Sequence, residues 1–146
     1  MTDKYKTIEI LLVEDNEDDV ELTREALADS KLKNNLNVVN DGVAATDYLF
    51  KRSPYENATT PDLILLDLNM PRKNGREVLE EIKAHEQLKR IPVIVMTTSR
   101  SDEDILSAYS LHANCYVTKP LNFESFIGIV KSIEDFWFTI VELPKK

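Results

Sequence analysis

Five short apolar runs punctuate the chain: Ile8 to Val13, Val38 to Val39, Leu63 to Leu66, Val93 to Met96 and Cys115 to Val117. Longer segments of mixed polar and apolar residues separate them, so the pattern predicts strands alternating with helices. The third and fourth runs are apolar at nearly every position, as expected of strands covered on both faces of a parallel sheet. Helices must supply that cover. Apolar spacing near three and four recurs at Val20, Thr23 and Leu27 and again at Val78, Leu79 and Ile82. A last helix is predicted after Pro120, with Asn122 placed to cap its first turn and Phe123, Phe126, Ile127, Val130, Ile133 and Trp137 on one stripe. Such a stripe packs against a core and is not a cofactor box. Between the second helix and the third strand, Ser53 to Pro61 is rich in proline and small polar residues and reads as a loop too short to divide domains.

This order gives a (βα)5 doubly wound α/β domain with a five-stranded parallel sheet, and such sheets place their sites at the carboxyl ends of the strands. The residues just past the five runs are Glu14-Asp15, Asp41-Gly42, Asp67, Thr97-Thr98 and Lys119. Most of these ends offer a group able to react or to hold an ion. Glu14 and Asp15 close the first strand and Asp67 the third, and the strand order of such a sheet makes those two ends neighbours. Three carboxylates in one pocket repel one another unless a cation is present, and an oxygen-only donor set favours Mg²⁺, which takes few protein carboxylates and keeps waters. Asp15 and Asp67 are the expected ligands, with Glu14 acting through a bound water and the backbone carbonyl of Asn69 completing the protein's share. On the other side of Asp67, the Thr97 hydroxyl and Lys119 ammonium suit the oxygens of a phosphoryl group. Phosphoryl transfer is mainly positioning and charge neutralisation, which a metal, a lysine and a hydroxyl can share. Asp67 is the expected acceptor, since an ionised carboxylate is already a nucleophile and needs no general base.

Composition narrows the partners. The 146 residues suit one domain, and acidic residues outnumber basic ones by 26 to 18, a net charge of -8 that repels phosphate backbones. Nucleic acid is therefore not an expected partner. No stretch approaches the ~20 apolar residues that span a bilayer, and Met1-Thr2-Asp3-Lys4 lacks a signal peptide's apolar segment. A cytoplasmic location is expected, with no membrane contact. Cys115 is the only cysteine, which excludes an internal disulfide, and its apolar neighbours mark it as a strand residue. His85 and His112 lie in polar helix-end contexts away from the acidic ends and are expected at the surface.

Val13-Glu14-Asp15-Asn16, the run Leu65 to Gly75, Val95-Met96-Thr97-Thr98 and Tyr116-Val117-Thr118-Lys119-Pro120 resemble, in order, the successive signatures of response-regulator receivers. The resemblance covers roughly residues 7 to 136 and implies a flavodoxin-like receiver fold with a C-terminal extension over 137 to 146. It implies a histidine kinase as phosphodonor, transfer to Asp67 with Mg²⁺ bound, and a chain that assists its own phosphorylation and dephosphorylation without being an enzyme. Thr97 and Tyr116 match the family's switch pair, through which the surface of the fourth helix, fifth strand and fifth helix changes. Two departures stand out: Glu14 where many members carry aspartate, and Thr98 where alanine or glycine is frequent.

Tyr55-Glu56-Asn57, the run Asp67 to Lys83, and Leu88-Lys89-Arg90-Ile91-Pro92 resemble more narrowly the single-domain regulators that partner bacterial phytochromes, especially in cyanobacteria. That resemblance implies a phytochrome-type light sensor as kinase; a phosphorelay intermediate for a different histidine kinase is the alternative. A haloacid-dehalogenase-like phosphatase is a remote one, because Asp67-Leu68-Asn69 lacks that family's second aspartate. The tail carries Phe136, Trp137, Phe138, Ile140, Val141 and Leu143. Such a cluster predicts a symmetric homodimer through the last helix and tail, with folding back over the chain's own core as the competing outcome.

Overall fold

The parallel pairing of five strands in the order β2-β1-β3-β4-β5 determines where everything else must sit. A computed structural model describes residues 7–29, 33–68, 70, 73–97, 115–118, 128 and 131. In chain order the elements are β1 (Ile8–Val13), α1 (Glu17–Ala28), β2 (Asn34–Val39), α2 (Gly42–Leu49), β3 (Leu63–Asp67), α3 (Gly75–Ala84), a 3-10 turn (Leu88–Arg90), β4 (Val93–Thr97) and β5 (Cys115–Thr118). The α/β alternation and the parallel sheet predicted from the pattern are both present.

Successive strand residues point to opposite faces, and the core divides accordingly. Leu11, Val13, Ile64, Leu66, Val93 and Val95 face one side, where they meet Ala45 and Leu49 of α2 and Val78, Leu79 and Ile82 of α3. Ile10, Leu12, Leu63, Leu65, Ile94 and Met96 face the other, against Val20, Ala26 and Leu27 of α1. Each buried leucine or isoleucine contributes about 1.5–3 kcal/mol relative to an exposed one, and it does so only in this register. A slip of one residue would exchange the two faces.

β2 is longer than its apolar run. It begins at Asn34 and pairs with β1 residue for residue, from Ile8↔Asn34 to Val13↔Val39. Asparagine is depleted in strands, so the pattern alone exposes only Val38 and Val39. Backbone pairing at the sheet edge carries the rest, helped by the Asn35 side chain donating to Glu9 Oε2 at 2.8 Å. The loop after α2 is also more than a polar connection, because Tyr55 and Ala58 pack onto the core. The predicted last helix and tail lie outside the described residues apart from Gly128 and Lys131, which are helical and exposed and fall between the positions of the apolar stripe.

Candidate functional site

The site is built where β1 and β3 end side by side. Val13 pairs with Leu66, so the next residues, Glu14 and Asp15 on one strand and Asp67 on the other, emerge together. Their ligand oxygens all lie within 4.8 Å of one another, with Glu14 and Asp67 buried and Asp15 exposed. The sheet order thus assembles the three carboxylates expected from the sequence.

The two strand ends are held by neighbouring strands and by the starts of the helices that follow them. The Glu14 amide donates to Val39 O at 3.0 Å, Asn40 Nδ2 donates to Glu14 O at 3.1 Å, and Asn16 N donates to Glu14 Oε2 at 3.1 Å. Asn16 also caps α1 by accepting from Asp19 N at 3.0 Å, which aims the helix start at the same edge. On the β3 side, Leu68 N donates to Met96 O at 2.8 Å and Gly75 N to Leu68 O at 3.2 Å. Asn74 and Glu77 form a capping box at the start of α3. A Cβ at Gly75 would lie 2.6 Å from Leu68 Cα and closer still to the Asp67 carbonyl oxygen. The helix therefore starts pressed against the strand end that presents Asp67.

A second close approach ties the β3–α3 connection to α2. A Cβ at Gly42 would lie 2.7 Å from the Lys73 carbonyl carbon, the Lys73 ammonium pairs with Glu81, and it donates to Thr46 Oγ1 at 3.4 Å. None of these supporting residues was singled out from the sequence by role, although Asn74-x-x-Glu77 is a readable capping-box signature.

The remaining expected residues are placed only in part. Asp67 pairs with Met96, so the backbone of Thr97 lies one residue further along the adjacent strand. Thr97 in turn pairs with Thr118, and Val95 with Tyr116. This brings the end of β5, and so the start of the segment carrying Lys119, two strands from Asp67. Lys119, Asn69, Thr98 and His112 lie outside the described residues, as do the side chains of Thr97, Tyr116 and Cys115. Asp41 follows a strand but serves a helix: it is the N-cap of α2 and accepts from Ala44 N at 2.8 Å. His85 sits at the C-cap of α3, its Nδ1 accepting from Gln87 N and Leu88 N at 3.2 Å, remote from the acids as expected.

An all-oxygen set of three clustered carboxylates matches the preferences of a hard divalent cation, whose charge offsets their repulsion. Comparison with known proteins agrees with this geometry. Residues 10–131 match the response regulator receiver domain. The chain is 49% identical over 135 residues to response regulator Rcp1 of Synechocystis sp., covering 92% of each. It is similar to the crystal structure of the phosphorylated cyanobacterial phytochrome response regulator RcpA, with a TM-score of 0.84, 50% identity and coverage of 95% of this chain and 99% of that one. For the Mn²⁺-bound form of Rcp1 the TM-score is 0.83 and the identity 48%, with 94% and 99% covered. The chain belongs to the response regulator receiver domain family. It is a receiver of two-component phosphorelay signalling, closely related to phytochrome-associated regulators; receivers bind a divalent cation at an acidic pocket, and Glu14, Asp15 and Asp67 form an acidic cluster that could hold one here. No helix among the described residues is long and apolar enough to cross a membrane.

Proposed function

We propose that the chain takes a phosphoryl group from a phosphohistidine of a phytochrome-type histidine kinase onto the carboxylate of Asp67 and thereby switches its protein contacts. The observation that carries this reading is the convergence of buried Asp67 with Glu14 and Asp15 at one sheet edge. An Asp67 oxygen attacks phosphorus, the P–N bond breaks, and the electron pair leaves with the imidazole. Asp15, Asp67 and the Asn69 carbonyl would hold Mg²⁺, with Glu14 acting through a water. Bound there, the ion neutralises charge on the phosphoryl oxygens. Lys119 and the Thr97 hydroxyl take further phosphoryl oxygens, and Thr97 with Tyr116 relays the change to the surface around β5. The chain assists its own phosphorylation and dephosphorylation in this way without turning over a separate substrate. Likeness to the phytochrome response regulators RcpA and Rcp1 supports the choice of kinase.

Residues 7–136 form the receiver in this reading and 137–146 an extension that contributes, with the preceding helix, to a homodimer. The net charge of -8 disfavours nucleic acid as the direct output, and the setting is the cytoplasm. Treatment with a small phosphodonor and Mg²⁺ should add one acid-stable, base-labile acyl phosphate, and Asp67→Asn or EDTA should abolish it. Labelling of Asp67→Asn at the wild-type level would overturn the acceptor assignment. Thr97→Ala should still label yet lose the phosphorylation-dependent change in partner affinity.

A further inference from the structure

Five residues before Glu14 on the same strand, and so about 16 Å away at the opposite edge of the sheet, lies a cavity that the phosphoacceptor site does not use. It is an open depression of about 330 Å³, lined by Glu9, Asn37, Tyr48, Tyr55, Asn57 and Thr59 among others, a volume at the lower end of small-ligand sites. Its lining holds a carboxylate and no basic side chain, and no lysine or arginine pairs with Glu9 among the described residues. Glu9 is oriented by neutral donors: Asn35 Nδ2 reaches Oε2 at 2.8 Å and Asn37 Nδ2 reaches Oε1 at 3.4 Å. Each oxygen keeps a second lone pair. Asp62, whose carboxylate accepts from Glu9 N at 2.9 Å, adds a further negative charge nearby. The rings of Tyr48 and Tyr55 stand 5.4 Å apart at 56°.

We infer that this cavity binds a small organic cation of the guanidinium class, either a free molecule or the arginine side chain of a partner. A planar guanidinium offers paired donors to a carboxylate and a flat face to a phenol ring, and Asn37, Asn57 and Thr59 add acceptors for its remaining N–H groups. The Tyr48 hydroxyl stays protonated beyond its ordinary range, through burial first and the Glu9 charge second. The phenol is therefore a neutral partner and does not compete with Glu9 for charge.

The test is an NMR titration of the full chain with butylguanidinium, with its neutral analogue butylurea, and with the peptide acetyl-Gly-Arg-Gly-amide. Butylguanidinium or the peptide should shift the Asn37 and Asn57 side-chain amides saturably, the tighter of the two identifying the source, while butylurea should not. Glu9→Gln should weaken binding roughly ten-fold, the size of a lost charge-assisted hydrogen bond. Should that variant unfold, Tyr55→Leu serves instead and is expected to weaken binding several-fold. The inference is overturned if neither guanidinium probe shifts these groups up to about 10 mM, a concentration that detects even weak binding. Equal binding of butylurea, or an unchanged affinity in a folded variant, would overturn it as well.

Discussion

Replacing Gly75 by alanine sets two effects of opposite sign against each other at the end of the acceptor strand. Alanine in place of glycine within an exposed helix stabilises by about 1 kcal/mol, and Gly75 is the first residue of α3. Its φ is not positive, so the backbone conformation would accept alanine. Space is the obstacle. The new methyl would sit 2.6 Å from Leu68 Cα and 3.0 Å from the Asp67 carbonyl carbon, against the roughly 3.5–4.0 Å of ordinary carbon contact. Both are backbone atoms of a buried strand end, so no rotamer change relieves the overlap. Overpacking of this kind costs about 1–3 kcal/mol, and contact with unyielding backbone places it at the top of that range. The expected balance is a loss of about 2 kcal/mol, equivalent to a Tm lower by about 4–8 °C for a chain of this size. Denaturation followed by circular dichroism, with EDTA present to remove stabilisation by bound cation, measures it. A variant as stable as wild type, or more stable, would refute the claim that α3 is pressed rigidly against β3. Relief of the clash must move either the start of α3 or the Asp67 backbone, and where the strand end yields, labelling of Asp67 by a small phosphodonor should slow in parallel.

Three further outcomes follow from other parts of the molecule. Asn74→Ala removes the cap that accepts from Glu77 N at 3.0 Å and should cost about 1 kcal/mol in urea denaturation. Tyr48 has its pKa raised from 10.0 by burial and then by Glu9, so above that pH the unfolded state loses the proton first and stability falls as pH rises; Tyr48→Phe should flatten that alkaline loss in a series of melts. Truncation after Asp135 should convert a dimer to a monomer in analytical ultracentrifugation, and a full chain that stays monomeric at high micromolar concentration, with and without a phosphoryl analogue, would remove the dimer.

Much of the architecture was legible because a parallel sheet covered on both faces leaves a local signature. The continuous apolar runs of β3 and β4 and the three-four spacing of α3 follow from burial of those same residues, and the strand-end acids are polar groups where each run stops. Locating Glu14, Asp15 and Asp67 therefore needed only periodicity and the rule that such sheets react at their carboxyl edge. β2 was legible only in its last two residues, since Asn34 to Asn37 are strand because β1 offers them hydrogen-bonding partners, a condition no local pattern records. Distance along the chain hides the rest. That Gly42 is needed against Lys73, that Gly75 abuts the Asp67 carbonyl, and that Glu9 shares a cavity with Tyr48 and Tyr55 are consequences of how helices settle on the sheet. The sequence by itself determined the order of the described elements and which acids gather at the carboxyl edge; the tertiary structure decided which side chains are pressed together, because close approach depends on packing between segments far apart in the chain.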